Sequence, residues 1–391
     1  MRKKIVKILI LTVISSFPIC GCQKAPEESS LDKEILHAKD SAEDEVIDIL
    51  ESDSAKSEID RDRKEIHCLV GTEENGIKIE ASAPYFPEHV YHMVLGENSS
   101  LNMNLLKDFL ESDSSEIRDL SEQYMEEAAQ VEAENEKSEE KVLQSAFGNE
   151  TLYAVSDGKK EASFINGTGV AYEEKELYEQ CSSIYKNGRE TLFQEADLVN
   201  TVGNQEFPIE EAKKMLLSKL EKVQVSEIHM YEICLHESDD FLFYEMYFTP
   251  SYEGMGTTHG IGSMAYKEVF PEGTAWVCKD GIAFLRFKEG LGEVDQKEEY
   301  EKVLSWEQIE KIIEVNLKNG NIHGSSKIAM TEVEFVYYPF LSEDEKELEL
   351  IPVWQMSIPL SQWLEIDNEE TDGAARMICI HAVSGEIVRV E

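Results

Sequence analysis

Two segments of the chain share one order of predicted elements, and this repeat constrains the fold more than any other feature. The first segment opens a helix at Pro208, which lies near the first helical position. The second opens a helix at Ser305, which has the spacing of a capping box with Gln308. Apolar residues recur every three or four positions in both helices: Ile209, Ala212, Leu216, Leu220 and Val223, then Trp306, Ile309, Ile313 and Leu317. Each apolar face must pack against another element.

In both segments, strand-like runs follow the helix and end in a tight hairpin. The runs are 228–235 and 241–249 in the first segment and 331–338 and 348–358 in the second. Gly281 and Gly385 supply the hairpin turns, since glycine tolerates positive φ. A helix on an antiparallel sheet buries both apolar patterns. The sequence therefore predicts an α+β fold with tandem helix-plus-antiparallel-sheet modules at 201–300 and 301–391.

A smaller α+β region is predicted at 61–200, ahead of the two modules. Asn75-Gly76 is a hairpin signal between two strand-like runs. A helical pattern begins near Ser114, and strand patterning resumes around Asp157-Gly158. These signals predict a mixed region with both helix and strand.

The end of the second module resembles the ending of YycI-type and PepSY-like extracytoplasmic domains. The matching residues are Ile351-Pro352-Val353-Trp354 and the run from Ile380 to Val388. Uncharacterised lipoproteins of Gram-positive gut anaerobes have similar tails. The resemblance implies a non-catalytic role, because YycI-like proteins contact the outer part of a sensor kinase and PepSY domains are linked to restraining proteases. It also implies structural roles for Trp354 and Gly385. YycI itself has a membrane helix as its anchor.

The N-terminus has the pattern of a bacterial lipoprotein signal peptide, predicted at 1–21. Basic residues precede an apolar run from Ile5 to Ile19, which is too short to span a bilayer as a helix. Ile19, Cys20, Gly21 and Cys22 then resemble a lipobox. This resemblance implies diacylglycerol on Cys22 and a mature protein at the outer face of the cell membrane. Soluble secretion and an uncleaved anchor are the alternatives.

An acidic segment follows the predicted lipid site, and residues 22–60 are predicted to form a disordered tether. Between Gln23 and Asp60 there are 13 acidic residues and four lysines. The whole chain has a formal charge of −43, and cleavage before Cys22 removes four basic residues to give about −47. Such a charge disfavours nucleic acid as a partner and leaves cations or a basic protein as candidates.

The cysteines predict neither a disulfide framework nor a metal site. Five remain besides Cys20 and Cys22, and they are widely scattered without C-x-x-C spacing: Cys68, Cys181, Cys234, Cys278 and Cys379. The last three lie in apolar runs, which favours buried free thiols. We therefore predict no metal and no cofactor.

Two groups of residues are candidates for reactive or binding sites. His89 and His92 are close in sequence but lack a third metal ligand, which favours surface or structural roles. The glycine-rich segment with Gly254, Gly256, His259 and Gly260 fits a binding loop or a plain connection. No nucleophile elbow or phosphate-binding loop is present, so no catalytic residue is predicted.

These features favour a cell-surface lipoprotein that acts by non-catalytic binding, with membrane lipid at Cys22 and an envelope protein as its partners. An extracellular hydrolase is one alternative, and it requires a convergent polar cluster involving His259 or the His89/His92 pair. A ligand-binding lipoprotein that serves a transporter is the other alternative. It requires repeated helix–strand alternation, which the sequence lacks.

Overall fold

The structure is a computed structural model that describes most of the chain from residue 65 onward. The described residues are 65–82, 84, 87–96, 102–112, 114, 116–125, 153–165, 169–194, 201–259, 272–288, 293–341, 348–358 and 374–390. The predicted signal peptide, Cys22, the tether and Gly260 lie outside them. Strand accounts for 49% and helix for 23% of the described residues, and the pairing is mostly antiparallel. No helix in these ranges is long and apolar enough to span a bilayer.

The strands and helices follow one another along the chain in this order. The strands before residue 200 are β1 (Glu65–Gly71), β2 (Gly76–Ser82), β3 (Tyr91–Gly96), β4 (Arg118–Asp119), β5 (Tyr153–Ser156), β6 (Lys160–Ile165), β7 (Gly169–Glu174) and β8 (Arg189–Gln194). Those after it are β9 (Ile228–Glu237), β10 (Leu242–Tyr252), β11 (Met255–Gly256), β12 (Glu272–Cys278), β13 (Gly281–Lys288), β14 (Glu293–Glu299), β15 (Ala329–Met330), β16 (Glu332–Leu341), β17 (Leu348–Ser357), β18 (Met377–His381) and β19 (Ile387–Val390). The helices of at least eight residues are α1 (Met103–Leu110), α2 (Lys175–Asn187), α3 (Ile209–Leu220) and α4 (Trp306–Lys318).

A ten-stranded sheet, called the large sheet below, occupies the middle of the chain. Its order is β4-β5-β6-β7-β13-β12-β10-β9-β8, and β11 pairs with β10. The apolar sides of α1 and α3 share one core with one face of this sheet: Leu106, Phe109, Leu216, Leu220, Ile233, Tyr244, Phe248 and Leu285. Cys181 and Ile184 of α2 pack with Phe243 and Cys278 in a smaller cluster. Helices therefore cover both faces of the large sheet.

A second sheet, called the C-terminal sheet below, contains six strands. Its order is β14-β3-β17-β18-β19, with β16 on the other edge of β17. A three-stranded sheet of β1, β2 and β15 lies nearby, and α4 contacts β1. These elements share one core: Ile79, Met93, Ile309, Ile313, Trp354 and Ile380 belong to it.

The two predicted helices are confirmed, and each precedes four strands that pair in chain order. After α3 the order is β9-β10-β12-β13, and after α4 it is β16-β17-β18-β19. Ser305 N–H donates to Gln308 Oε1 at 2.9 Å, as the capping-box spacing predicts. Gly281 and Gly385 lie at the two predicted hairpins, with φ of 150° and 72°. The predicted mixed helix-and-strand class is therefore correct, with more strand than helix.

The sheets cross the domain boundaries predicted from the sequence. Strands β5 to β8 lie within 61–200 but join the strands of 201–300 in the large sheet. In the same way, β3 and β14 join the C-terminal sheet, whose other strands come from residues 301–391. The physical reason is that neighbouring segments satisfy N–H and C=O groups that these strands leave unpaired: β7 and β8 pair with the outer strands β13 and β9, and β3 pairs with residues 348–350 of β17, beyond the part that pairs with β18. Near the predicted helix at Ser114, residues 118–119 form β4 and helix begins only at residue 121.

Trp354 lies in the core, in agreement with the structural role that the family resemblance implies. Only 2% of the side chain is exposed. Its Nε1 donates to Leu304 O at 3.2 Å, and its ring packs 5.4 Å from Trp306 and 5.6 Å from Phe335. The indole thus joins β17 to β16 and to the start of α4.

We expect Trp354→Ala to lower the free energy of unfolding by about 3–5 kcal/mol, because it leaves a large cavity and an unpaired carbonyl. Urea-induced unfolding measures this change. Val390→Ala, at a position that is 38% exposed, serves as the control and should shift stability by no more than about 0.5 kcal/mol. A loss below about 1 kcal/mol for Trp354→Ala would contradict the central packing of this side chain.

Candidate functional site

The glycine-rich segment connects the large sheet to the C-terminal sheet. After β10 the chain turns at Glu253 and Gly254, and β11 pairs back onto β10. Thr257 then forms a parallel bridge with Tyr337 of β16, and Thr258 N–H donates to Tyr337 O at 2.7 Å. The sequence left a binding loop and a plain connection open, and residues 253–259 have ordered contacts with both sheets.

The two glycines of this segment that the structure describes have different roles. Gly254 has φ of 79°, and a Cβ there would meet no atom within 4 Å. A Cβ on Gly256 would lie 2.6 Å from Cβ and Cγ of His229. Gly254 therefore permits the turn, while Gly256 allows β11 to pass directly over the His229 side chain.

His259 and His229 share one buried carboxylate of the C-terminal sheet. His259 Nε2 lies 2.7 Å from Glu334 Oε2, and His229 Nε2 lies 3.0 Å from Glu334 Oε1. His259 is 5% exposed and Glu334 is 6% exposed. The His259 ring also stacks on Tyr231, with centroids 3.8 Å apart and planes 5° apart.

Residues on β16 and β17 complete this arrangement, which we call the junction cluster: His229, His259, Glu332, Glu334, Gln355 and Ser357. The strand register places Glu334 opposite Gln355 and Glu332 opposite Ser357. Gln355 Nε2 donates to Glu334 Oε2 at 3.1 Å, and Ser357 Oγ donates to Glu332 Oε2 at 3.1 Å. Each glutamate thus has a neutral donor from the next strand.

The electrostatics of the junction cluster raise the pKa values of both an acid and a base. Burial alone would lower the pKa of His259, but Glu334, through its charge and its hydrogen bond, and the charge of Glu332 together raise it to about 9. Burial raises the pKa of Glu332 to about 7, opposed by the charge of His259 and reinforced by Glu334. His259 therefore forms a charged pair with Glu334 near neutral pH. Glu332 changes between its protonated and ionised forms in the same pH range.

A second polar cluster lies on β9 and β10. Cys234, His236 and Glu245 are all buried, and their ligand atoms lie within 4.8 Å of one another. These are residue types that can hold a metal ion. No short metal-binding motif marks this cluster in the sequence, because its residues come from two different strands, and the sequence therefore predicts no metal site.

The His89/His92 pair does not converge. His89 Nδ1 lies 2.7 Å from Glu299 Oε1, and His92 Nε2 lies 2.9 Å from Glu349 Oε2. Glu299 belongs to β14 and Glu349 to β17, so the two rings have different partners on different strands. Both histidines thus have the surface or structural positions that the sequence favours.

Cys234 and Cys278, two of the three cysteines that the sequence favours as buried free thiols, are free thiols in the structure, and so is Cys181. Cys181, Cys234, Cys278 and Cys379 are buried, while Cys68 is half-buried. Burial, followed by the charges of Glu232, Glu245 and Glu190, raises the pKa of Cys234 above its ordinary range. The thiol of Cys234 is therefore protonated at neutral pH in the absence of a cation.

Sequence analysis identified His259 but missed most of its neighbours. His229 and Glu334 are 105 residues apart, and His259 and Glu334 are 75 apart. The alternating Glu332-x-Glu334 and Gln355-x-Ser357 pairs were a usable signal, because alternate residues of a strand share one face. Their polar character on predicted buried strands indicates a polar cluster, but not which histidines complete it.

Comparisons with known proteins leave the family open. No protein-family model matches the chain, and no curated protein matches it either. A crystal structure of an uncharacterised protein from Eubacterium rectale is similar, with 16% sequence identity and a TM-score of 0.47. The similarity covers 88% of this chain and 99% of the other.

We expect stability to fall as pH rises from 7.5 to 9.5. The pKa of His259 is about 6.5 in an unfolded chain and about 9 in the folded protein. The ion pair therefore contributes fully below pH 6.5 and is lost as pH rises through 9. Over this interval, the free energy of unfolding measured with urea should fall by about 2 kcal/mol more for the wild type than for His259→Gln.

The pH interval and the control isolate His259 from other titrating groups. Glu332 has a pKa of about 7 in the folded protein, so most of its ionisation precedes this interval. His67→Gln alters an exposed histidine that contacts Glu65 and should keep the wild-type dependence on pH. If the free energy of unfolding has the same slope against pH in His259→Gln as in the wild type, the buried ion pair is disproved.

Proposed function

We propose that this protein is a cell-surface lipoprotein that acts by non-catalytic binding and modulates an envelope protein such as a sensor kinase or a protease. One observation carries the choice of binding over catalysis. The side chains with catalytic potential in the junction cluster are buried and hydrogen-bonded to one another between two sheets. They stabilise the junction, and their ring nitrogens and carboxylate oxygens are engaged with each other.

The proposed lipid site is Cys22, and the support for it comes from the sequence. The basic start, the short apolar run and the lipobox-like residues before Cys22 are the features of an exported lipoprotein. A diacylglycerol on Cys22 supplies two acyl chains, which is enough for stable attachment. The acidic tether at 22–60 then holds the folded region outside the membrane of a Gram-positive cell.

We further propose that 201–300 and 301–391 are tandem modules related to YycI-like and PepSY-like domains. The support is the shared order of elements, in which a helix precedes four strands that pair in sequence. The buried position of Trp354 and the positive φ of Gly385 agree with the structural roles that the resemblance implies. From outside the modules, β7 and β8 extend the sheet of the first at its outer strands, and β3 pairs with β17 of the second.

The proposed contact surface is β14 at the edge of the C-terminal sheet. Among the described strands, β14 pairs with β3 alone. Its side chains from 294 to 299 are exposed and include Asp295, Glu298 and Glu299 against one lysine, Lys297. An extended segment can add to such an edge through main-chain hydrogen bonds. The acidic side chains select a basic segment of the partner.

Crosslinking in the native membrane tests this proposal. We expect the wild type to capture an envelope sensor or protease and Cys22→Ala to lose it, because the variant cannot be lipidated. The double charge reversal Asp295→Lys/Glu298→Lys should reduce capture about tenfold or more while leaving membrane attachment intact. Capture that is no greater for the wild type than for Cys22→Ala would reject the proposal.

A matched reversal separates the β14 surface from the effect of total charge. Glu116 and Glu314 are also exposed acids, but they lie outside β14. Glu116→Lys/Glu314→Lys changes the net charge by the same amount and should capture the partner as well as the wild type does. Equal losses in both double variants would assign capture to the overall charge and would remove β14 as the contact surface.

A second candidate function, an extracellular hydrolase, has one observation in its favour. The junction cluster is the convergent arrangement around His259 that this alternative requires, and Glu332 has a pKa of about 7. A carboxyl group with such a pKa suits general acid catalysis near neutral pH. The hydrolase hypothesis therefore has a definite set of residues to test.

Activity assays on cell-wall and carbohydrate substrates decide between the two functions. The binding proposal predicts no turnover by the purified full chain. A hydrolase would show turnover that falls at least about 100-fold in folded Glu332→Gln and His259→Gln. His67→Gln, at an exposed position, is the matched control. Turnover with this pattern would replace the binding proposal.

A further inference from the structure

Three potential metal ligands meet on one face of the large sheet. Cys234 and His236 are alternate residues of β9, and Glu245 lies directly opposite Cys234 on β10. The same face therefore presents all three side chains. The sulfur atom, a ring nitrogen and a carboxylate oxygen all lie within 4.8 Å of one another. Their exposed fractions are 5%, 2% and 6%.

These polar groups lie among large aromatic side chains, where they are costly to bury without partners. Phe243 stacks on the His236 ring at 4.8 Å, with planes 14° apart. Tyr185 of α2 lies 5.1 Å from the same ring, and Trp276 stacks near Tyr185 at 5.5 Å. Such an environment holds the imidazole in a fixed orientation and excludes most water.

Glu245 is oriented by two hydrogen bonds, one from outside the cluster and one within it. Its Oε1 accepts from Trp276 Nε1 at 3.0 Å, and its Oε2 lies 3.1 Å from His236 Nε2. Donors of this kind commonly position carboxylates and histidines that bind metals. Trp276 therefore fixes the orientation of Glu245, while Oε2 and the ring nitrogen face each other, so that a metal ion would take the place of the proton between them.

We propose that Cys234, His236 and Glu245 bind a divalent transition-metal ion of the zinc class. Ligand atoms of a tetrahedral zinc site lie about 2.0–2.3 Å from the metal and hence about 3.5 Å from one another. The His236–Glu245 distance of 3.1 Å is already close to that separation. Small side-chain rotations can bring the Cys234 sulfur to the same separation, because the ligand atoms all lie within 4.8 Å of one another.

The set of donor atoms selects the class of metal. A thiolate is a soft ligand that favours zinc-like ions over calcium or magnesium, and imidazole and carboxylate are also common zinc ligands. Binding releases the thiol proton of Cys234 to solvent, while His236 coordinates as the neutral imidazole. One thiolate, one carboxylate and a divalent cation then form a site with no net charge. This neutrality favours binding in a buried position.

The fourth position of the site faces the edge of the sheet. Glu190 of β8 lies opposite His236 in the register, and its side chain is exposed. Tyr185 above the cluster is 50% exposed. A water molecule can therefore complete four-coordination from this side without changing the net charge of the site, and an ion can enter beside Tyr185.

The junction cluster does not offer the same arrangement. Its two histidines approach different oxygens of Glu334, whereas the Cys234 group is the set of three convergent ligand atoms found among the described residues. A metal at Cys234, His236 and Glu245 would join β9 to β10 beneath α2. This site is independent of the binding function proposed above, and neither proposal depends on the other.

Metal titration of the full-length protein tests the site. After treatment with a chelator, the wild type should bind one zinc ion per chain more tightly than Cys234→Ser or His236→Gln does, by at least about tenfold. Cys379→Ser replaces another buried strand cysteine and should bind as the wild type does. Circular dichroism verifies that each variant is folded. Equal zinc affinity in the wild type and a folded Cys234→Ser variant would overturn the proposal.

Cobalt provides a readout that does not depend on the variants. Co²⁺ bound by a thiolate gives a near-ultraviolet charge-transfer absorption, which carboxylates on an acidic surface do not produce. We expect this band in the wild type at one equivalent of Co²⁺ and in Cys379→Ser, and its loss in Cys234→Ser. Absence of the band from the wild type would overturn the proposal even if the Cys234→Ser variant fails to fold.

Discussion

The carboxylate of Glu334 is the point on which the arrangement of the two main sheets depends. It lies on the C-terminal sheet, where its charge is balanced by His259, which follows β11, and its other oxygen contacts His229 of β9. A buried carboxylate without such partners would be strongly destabilising. The neighbouring Gln355 donates to the same group. Electrostatic compensation at one residue thus holds β9, the segment after β11 and β16 in a single arrangement.

The same constraint explains the glycine-rich segment. His229 must reach Glu334 from beneath β11, so the chain above it can have no Cβ at Gly256. The turn at Gly254 directs the chain back along β10, and Thr257 and Thr258 then reach β16. Residues 253–259, which belong to the candidate binding loop, link the two sheets. This is why the binding surface is proposed at the β14 edge instead.

How much the sequence predicts depends on the distance between the interacting residues. The helices α3 and α4, the capping residues at Ser305 and the hairpins at Gly281 and Gly385 rest on local periodicity and turn chemistry, and the structure has all of them. The helix expected near Ser114 begins at residue 121, because β4 takes residues 118–119 for the sheet. Domain boundaries at 200 and 300 did not match the sheets, because strand pairing satisfies backbone groups regardless of sequence distance.

By itself, the sequence determined the mixed helix-and-strand class, the two helix-then-strand segments and the buried free thiols of Cys234 and Cys278. These follow from local patterns of apolar residues and glycine. Only the tertiary structure decided that His259 meets Glu334 and that Cys234 and His236 face Glu245. Such contacts depend on strand order and register, and a shift of one residue would turn each side chain to the opposite face. The polar clusters therefore exist only once the sheets have formed.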